Sequence, residues 1–326
     1  MTAHFTHHGG RLAQACTRFG GAPGDWLDLS TGINPNGWTT PNALEVDWRR
    51  LPDPEAVAEL EAVAARHFGC ETAFCVAVPG SETALRLLAG MSDLPGMYRL
   101  PCYGTYRAAF AQSESLADFD ALPARATVLT IGNPNNPDGI TPSRARLLAL
   151  LDHQERHGGW LIVDEAFADC TPAASIVADV GEDRRLIVLR SLGKFFGLAG
   201  VRLGFVIGPR ETRDRLRLML GDWPLHSAAI ELGTAAYNDQ AWIAQARRDI
   251  AERAARLDAV LARHGLHARG DCPLFRLIGA ARAEDLFERL AHQHVLTRPF
   301  AGSPNLLRIG LPGNRQSLDR LDRALG

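Results

Sequence analysis

The sequence predicts an α/β fold with a mostly parallel sheet in a large domain and a smaller α/β domain beside it. Strand-like runs near 73–78, 127–131, 160–163 and 186–190 alternate with helix patterns, the order that produces parallel sheets. A chain of 326 residues is long enough for two domains. Apolar content of 46% and charged content of 22% are ordinary for globular proteins.

Each element has a local reason. Ala73-Phe-Cys-Val-Ala-Val78 reads as a strand, followed by the small-residue turn Pro79-Gly80-Ser81-Glu82 and an amphipathic helix through Leu88. Backbone N–H groups at such a helix N-terminus form an anion site. Pro101-Cys-Tyr103-Gly-Thr-Tyr106 offers an aromatic face for a flat ring. The run Thr127–Ile131 is the next strand and leads into Gly132-Asn133-Pro-Asn-Asn136-Pro-Asp-Gly139. Prolines and glycine freeze that turn, so the Asn136 amide is aimed with little entropy left to lose. Thr141-Pro142 is expected to open a helix, as N-cap and first-turn proline, ahead of Leu147, Leu148 and Leu151. Leu161, Ile162 and Val163 form a buried strand that ends at Asp164, and ligands of open α/β sheets bind at that end.

Leu186-Ile-Val-Leu189 then delivers Ser191-Leu-Gly-Lys194-Phe-Phe-Gly-Leu-Ala-Gly-Val-Arg202. The second zone follows Pro209: one long helix over about 239–264, a strand near Leu274–Ile278, a helix near 283–293 and a strand at Leu306–Ile309. A large domain over 45–225 is expected, with 1–44 and 226–326 forming the small one. No internal repeat or low-complexity tract is visible.

Chemistry concentrates on Lys194. A lysine amine is a poor nucleophile unless its surroundings lower its pKa or it is committed as a Schiff base. Here it lies in a glycine-broken loop flanked by Phe195 and Phe196, an apolar setting that disfavours the ammonium. Ser191 and Arg202 bracket it with a hydroxyl and a fixed cation, the parts that hold a phosphate. Asp164 supplies an acid that keeps a pyridine nitrogen protonated, and Asn136 is placed to donate to a phenolic oxygen. The combination fits pyridoxal 5′-phosphate (PLP). Taken singly, each motif has a plainer reading: a loop lysine, a helix-capping aspartate, a turn asparagine, a core tyrosine. Their coincidence in one chain favours the cofactor.

In this order the segments resemble the fold-type I PLP enzymes of the aspartate-aminotransferase superfamily, from about His8 to Arg308. The resemblance implies that Gly80, Ser81 and Glu82 cup the cofactor phosphate, that Tyr103 stacks on the ring, and that Ser191 and Arg202 hold the phosphate. It implies that Asn136 meets the phenolic oxygen, Asp164 the pyridine nitrogen and Lys194 the cofactor aldehyde, and that Arg308 binds a substrate carboxylate. Phe167 stands where most such aminotransferases carry a tyrosine, and Leu51 where relatives often have a tyrosine reaching the neighbouring subunit.

Thr6-His7-His8-Gly9-Gly10 and Trp26-Leu-Asp-Leu-Ser30-Thr-Gly-Ile-Asn34-Pro are similar to the opening of threonine-phosphate decarboxylases, which also carry Asp-Glu-Ala-Phe. These belong to cobalamin biosynthesis and are kin of histidinol-phosphate aminotransferases. On that resemblance the substrate is O-phospho-L-threonine and the reaction a decarboxylation, with class I/II transamination as the alternative. His8, Gly9, Asn34, Arg298 and Arg308 become the expected substrate contacts. A silent PLP-binding regulator would need a fused DNA-binding module, for which the chain has no spare length.

Other features narrow the class. A formal net charge of −2 points to neither nucleic acid nor an acidic membrane surface. No charged leader with an apolar core opens the chain, and no apolar run approaches the roughly 20 residues that span a bilayer. The six cysteines show no Cys-x-x-Cys pairing, which suggests reduced thiols in a cytoplasmic protein. His4, His7 and His8 have no cysteine or carboxylate at ligand spacing, so no metal is expected. A homodimer is expected from the resemblance.

Overall fold

The computed structural model describes residues 5–6, 9–40 and 46–326. The expectations placed on His4, His7 and His8 lie outside the described residues. By their internal contacts the chain's residues form two compact units, one of Gly37–Asn136 and Thr141–Gln245, the other of Met1–Asn36, Pro137–Ile140 and Ala246–Gly326.

The larger unit is organised on a seven-stranded sheet in the order Cys75–Val78, Gly204–Ile207, Leu186–Ser191, Trp160–Asp164, Val128–Gly132, Gly96–Arg99, Ser113–Leu116. All neighbours run parallel except the two pairs made by Gly204–Ile207. Leu186–Ser191 and Val128–Gly132 are buried along their whole length, as parallel strands covered on both faces are. Three strands carry little sequence signal. Gly96–Arg99 and Gly204–Ile207 have four residues each and begin at glycine, and Ser113–Leu116 is a polar edge strand.

Register sets the site. Gly132 is level with Asp164, and Asp164 with Leu189 on the next strand, so three chains leave the sheet at one edge. Because side chains alternate with period two, Asp164 and Ser191 turn to one side while Glu165 and Arg190 turn to the other.

The helix expected to start at Thr141-Pro142 begins instead at Arg144. Ser143 is the N-cap, and its Oγ accepts from the Arg146 amide at 3.2 Å. That hydroxyl reaches the third helical N–H, so Pro142 falls before the cap rather than inside the first turn. Helix Pro54–Phe68 opens on Asp53, whose carboxylate accepts from Glu55 N, and ends at Gly69 with φ of 79°. It packs on helix Ser227–Asn238.

The smaller unit has a four-stranded antiparallel sheet ordered Arg298–Pro299, Leu306–Gly310, Phe275–Gly279, Ala268–Arg269. The N-terminal segment completes it. Leu27–Asp28 pairs in parallel with Val295–Leu296, and the Gly310 amide donates to Leu29 O at 2.7 Å. Phe5 and Phe287 pack at 5.2 Å between ring centroids in its core. Among the described residues no helix is long and apolar enough to cross a membrane.

Candidate active site

Strand Trp160–Asp164 places a carboxylate at its exit, inside a cavity of the larger unit. Asp164 Oδ2 accepts from the Tyr106 hydroxyl at 2.9 Å and Oδ1 from the Ala166 amide at 3.0 Å. Burial raises its pKa above the usual carboxylate value, against the Tyr106 and Ala166 hydrogen bonds and the charge of Lys194. Lys194 comes from the loop after strand Leu186–Ser191, and its Nζ lies 5.7 Å from the centroid of the Phe167 ring.

The apolar wall beside this amine differs from the expected one. Phe195 and Phe196 turn into the core, where Phe196 stacks on Trp242 at 5.5 Å and meets Tyr237 at 4.9 Å. Phe167 provides a ring beside the amine. Phe167 has no hydroxyl to give the cavity. Leu51 is exposed.

Gly80, Ser81, Ser191 and Arg202, expected to hold a phosphate, line the same cavity. Helix Ser81–Gly90 begins at Gly80, whose φ of 90° suits glycine. A Cβ on Gly80 would come within 2.6 Å of the Arg202 Nη2, and one on Gly204 within 2.7 Å of the Ser81 amide nitrogen. Bare backbone at both positions therefore leaves the helix N-terminus open beside the guanidinium. Arg202 itself adopts the left-handed conformation, φ 57°, and its Nη1 donates to Ala199 O at 3.1 Å. Ser191 adds a hydroxyl to the wall. N–H groups, a hydroxyl and a guanidinium around an open cup are the chemical parts able to hold a phosphate.

Glu82 takes another part. Its carboxylate accepts from the Tyr103 hydroxyl at 3.1 Å, from Thr105 Oγ1 at 3.3 Å and from Arg86. Burial alone would raise its pKa, but Arg86, Tyr103 and Thr105 hold it below the ordinary value. An anion at this helix end thus meets the backbone, while the Glu82 side chain anchors Tyr103. Burial, helped by the Glu82 charge and opposed by a hydrogen bond with Thr105, pushes the Tyr103 hydroxyl up to about 12, so it stays a protonated donor. Asn136 also lines the cavity, in the turn after strand Val128–Gly132.

Behind the sheet lies a charged cluster that the motifs did not reveal. Arg190 donates to Glu165 Oε2 at 3.1 Å and to Asp169, and His67 Nε2 lies 3.0 Å from Asp169 Oδ1. Burial would raise the Asp169 pKa, yet Arg190 and His67 bring it down to about 2. Its sequence signal is the alternation itself: Glu165 follows Asp164 and Arg190 precedes Ser191, so each pair divides between the two faces. Tyr106 was missed for a simpler reason. It shares the short Tyr103–Tyr106 motif, and nothing in the sequence says which tyrosine meets Asp164.

The expected substrate residues form their own group in the smaller unit. Arg298 and Arg308 are cross-strand neighbours, both buried. Arg308 Nη2 donates to Ser30 O at 2.9 Å, and its guanidinium lies 4.9 Å over the Phe275 ring. Burial, then the Arg298 charge, lowers the Arg308 pKa to about 9, so it remains a cation at neutral pH. The Gly10 amide donates to Ser30 Oγ at 2.7 Å, and a Cβ on Gly9 would come within 2.2 Å of Ser30 O. Asn34 is buried, and its Oδ1 accepts from the Asn36 amide at 3.1 Å and from Arg253 at 3.3 Å. His8 lies outside the described residues.

The smaller unit also has a wider cleft of about 430 Å³ along helix Gln240–Arg263. Its Arg256, Arg263 and Arg315 are each ion-paired with a carboxylate, and it holds no lysine, serine, cysteine or histidine. Lys194 and Asp164 line the other cavity, in the larger unit.

Comparison with known proteins agrees with this geometry. The chain is 39% identical to the threonine-phosphate decarboxylase of Sinorhizobium sp, over 97% of both proteins. Among solved structures it resembles the histidinol-phosphate aminotransferase of Sinorhizobium meliloti in complex with pyridoxal-5′-phosphate, at TM-score 0.77 and 22% identity, covering 86% of this chain and 82% of that one. It also resembles the L-threonine-O-3-phosphate decarboxylase of Porphyromonas gingivalis, at TM-score 0.76 and 18% identity, covering 91% and 97%. At those identities the structural likeness speaks for the fold. The aminotransferase class I and II family matches residues 88–325, more than half of the sequence, and the chain belongs to that family.

Proposed function

We propose that the chain is a PLP-dependent decarboxylase of O-phospho-L-threonine, which releases CO2 and leaves 1-aminopropan-2-ol O-phosphate for cobalamin biosynthesis. It is proposed to work as a cytoplasmic homodimer. One observation supports the cofactor most directly: a single cavity joins the Lys194 amine, the half-buried Asp164 carboxylate and an open cup at Gly80–Ser81. The near full-length likeness to a threonine-phosphate decarboxylase supports the substrate.

Bound PLP supplies an electron sink for the pair left when a bond to the amino-acid Cα breaks. The protein's residues then have separate tasks. Ser81, Ser191 and Arg202 hold the cofactor phosphate, Asn136 donates to the phenolic oxygen, and Tyr103 covers the ring. Asp164 keeps the proton on the ring nitrogen, and the hydrogen bonds from Tyr106 and Ala166 favour the ionised carboxylate that this task needs. Lys194 anchors the cofactor and returns a proton to Cα after CO2 leaves. With phenylalanine at 167, Asn136 takes that oxygen without help from a tyrosine at this position.

Arg298 and Arg308 take the substrate's anionic groups, with His8 and the Gly9–Gly10 backbone assisting at the phosphate. Which bond to Cα breaks would depend on how the protein orients the bound substrate. Residues that clamp phosphate and carboxylate therefore select decarboxylation over proton removal from Cα. The test is to supply PLP-loaded protein with phosphothreonine and measure CO2 and amine product, with and without 2-oxoglutarate. CO2 release without any amino acceptor is expected. Strict dependence on the acceptor with no CO2 would assign an aminotransferase instead.

A further inference from the structure

In the sheet register Gly132 stands beside Asp164, and its missing side chain is what lets a third residue in. A Cβ on Gly132 would come within 3.2 Å of the Tyr106 hydroxyl and 2.7 Å of the Asn135 Cα. Bare backbone there leaves a channel through which Tyr106 reaches Asp164 Oδ2 at 2.9 Å. Tyr106 rises from the short helix Gly104–Ala108 and is only 2% exposed. Three residues earlier, Tyr103 meets its ring edge-on at 5.8 Å but sends its own hydroxyl to Glu82. The two tyrosines of one motif thus serve different carboxylates.

A carboxylate has two oxygens and about four lone-pair sites. On Asp164 the Ala166 amide takes a site on Oδ1, and Tyr106 takes one on Oδ2. With a donor on each oxygen, rotation about the Cβ–Cγ bond breaks both hydrogen bonds. We propose that Tyr106 is a positioning residue for the reaction: its hydroxyl holds the Asp164 carboxylate in one orientation toward the cavity, and Gly132 is the glycine that admits it. This rests on the PLP reading above.

The chemical consequence follows from burial. A desolvated carboxyl that loses a donor shifts toward its neutral form, and a neutral carboxyl no longer stabilises a protonated ring nitrogen. Tyr106→Phe keeps the buried ring and removes only the hydroxyl. The experiment compares wild type and Tyr106→Phe after loading with PLP labelled with ¹⁵N in the pyridine ring. Four quantities are read: the ring-nitrogen chemical shift against pH, PLP affinity, melting temperature, and kcat and KM for phosphothreonine.

The expected variant folds and binds PLP, with kcat lower by about tenfold and KM nearly unchanged, the scale of one hydrogen bond to a charged group. Its ring nitrogen should lose its proton at lower pH than in wild type. A purely structural tyrosine would change the melting temperature and leave the nitrogen signal alone, and that result overturns the proposal. Identical kcat and identical nitrogen titration overturn it too. Wild-type protein that binds no PLP would instead remove the underlying reading, and the proposal with it.

Discussion

Arg298 and Arg308 face each other across two antiparallel strands, and both are buried. Like charges opposite one another in a sheet are unfavourable, and buried cations need an anion or dipoles nearby. The lowered Arg308 pKa, caused by burial and then by Arg298, records that strain. A guanidinium whose folded pKa is below its unfolded one destabilises the fold at all pH values under about 9, where both states are protonated. Under the proposed function, a bound substrate anion would offset this cost.

Arg298→Gln and Arg308→Gln should therefore each raise KM for phosphothreonine about tenfold or more, the loss of a charge-assisted hydrogen bond of roughly 1.5–3 kcal/mol. His8→Ala is expected to do the same and to affect threonine less than phosphothreonine. Inorganic phosphate at pH 7 should raise the melting temperature of wild type more than that of either arginine variant. Equal shifts in all three proteins, with unchanged KM, would remove the anion role.

Gly80→Ala tests the phosphate cup without touching a catalytic group. The new Cβ is placed at positive φ and within 2.6 Å of the Arg202 Nη2. Alanine at such a backbone position costs about 1 kcal/mol before the clash is counted. The guanidinium can swing away, so the fold should survive while PLP affinity drops by roughly tenfold or more. Fluorescence titration of the apoprotein measures it. An unchanged dissociation constant would place the phosphate elsewhere.

Lys194→Ala and Asp164→Ala should fail in different ways. Purified wild type is expected to be yellow, and borohydride should leave a stable adduct on Lys194. Lys194→Ala should give no such adduct and no turnover. Asp164→Ala should retain much of its PLP but lose most of its kcat, because the acid acts on the ring nitrogen rather than on the phosphate. A Lys194→Ala protein that decarboxylates at the wild-type rate would overturn the lysine's role. Near-normal turnover in Asp164→Ala would do the same for the aspartate.

Much of this site was legible because its motifs follow strands directly. Strand Trp160–Asp164 has an apolar run that ends on the carboxylate, and strand Leu186–Ser191, apolar through Leu189, ends three residues before the lysine. Periodicity also gave the long helix Gln240–Arg263 nearly to its ends. What stayed hidden depends on packing between distant segments. Tyr106 and Tyr103 are equivalent in sequence, and only the gap beside Gly132 separates their roles. Arg190 looks like an exposed residue at a strand end until Glu165 and Asp169, from a neighbouring segment, enclose it. Phe195 and Phe196 are next to Lys194 in sequence, yet the ring of Phe167, from another segment, lies beside its amine.

The cluster behind the sheet makes the last prediction, on acid stability. Asp169 is buried between Arg190 and His67, and its pKa falls from the ordinary 3.8 to about 2. For an acid with a depressed folded pKa, the unfolded chain binds more protons in that interval. Its stabilising contribution is thus complete above pH 3.8 and disappears as pH falls toward 2. Asp169→Asn removes the charge that faces Arg190 and leaves a buried cation partly uncompensated, at a cost of about 2–3 kcal/mol near neutral pH, the size set by the pKa shift. Wild type and variant should then converge as the pH is lowered from about 4 toward 2, because wild type loses by protonation what the variant already lacks. Urea unfolding at a series of pH values measures the gap between them. A gap that stays constant down to pH 2 would mean that the aspartate stabilises the fold through packing alone. A gap that widens would contradict the sign of the pKa shift.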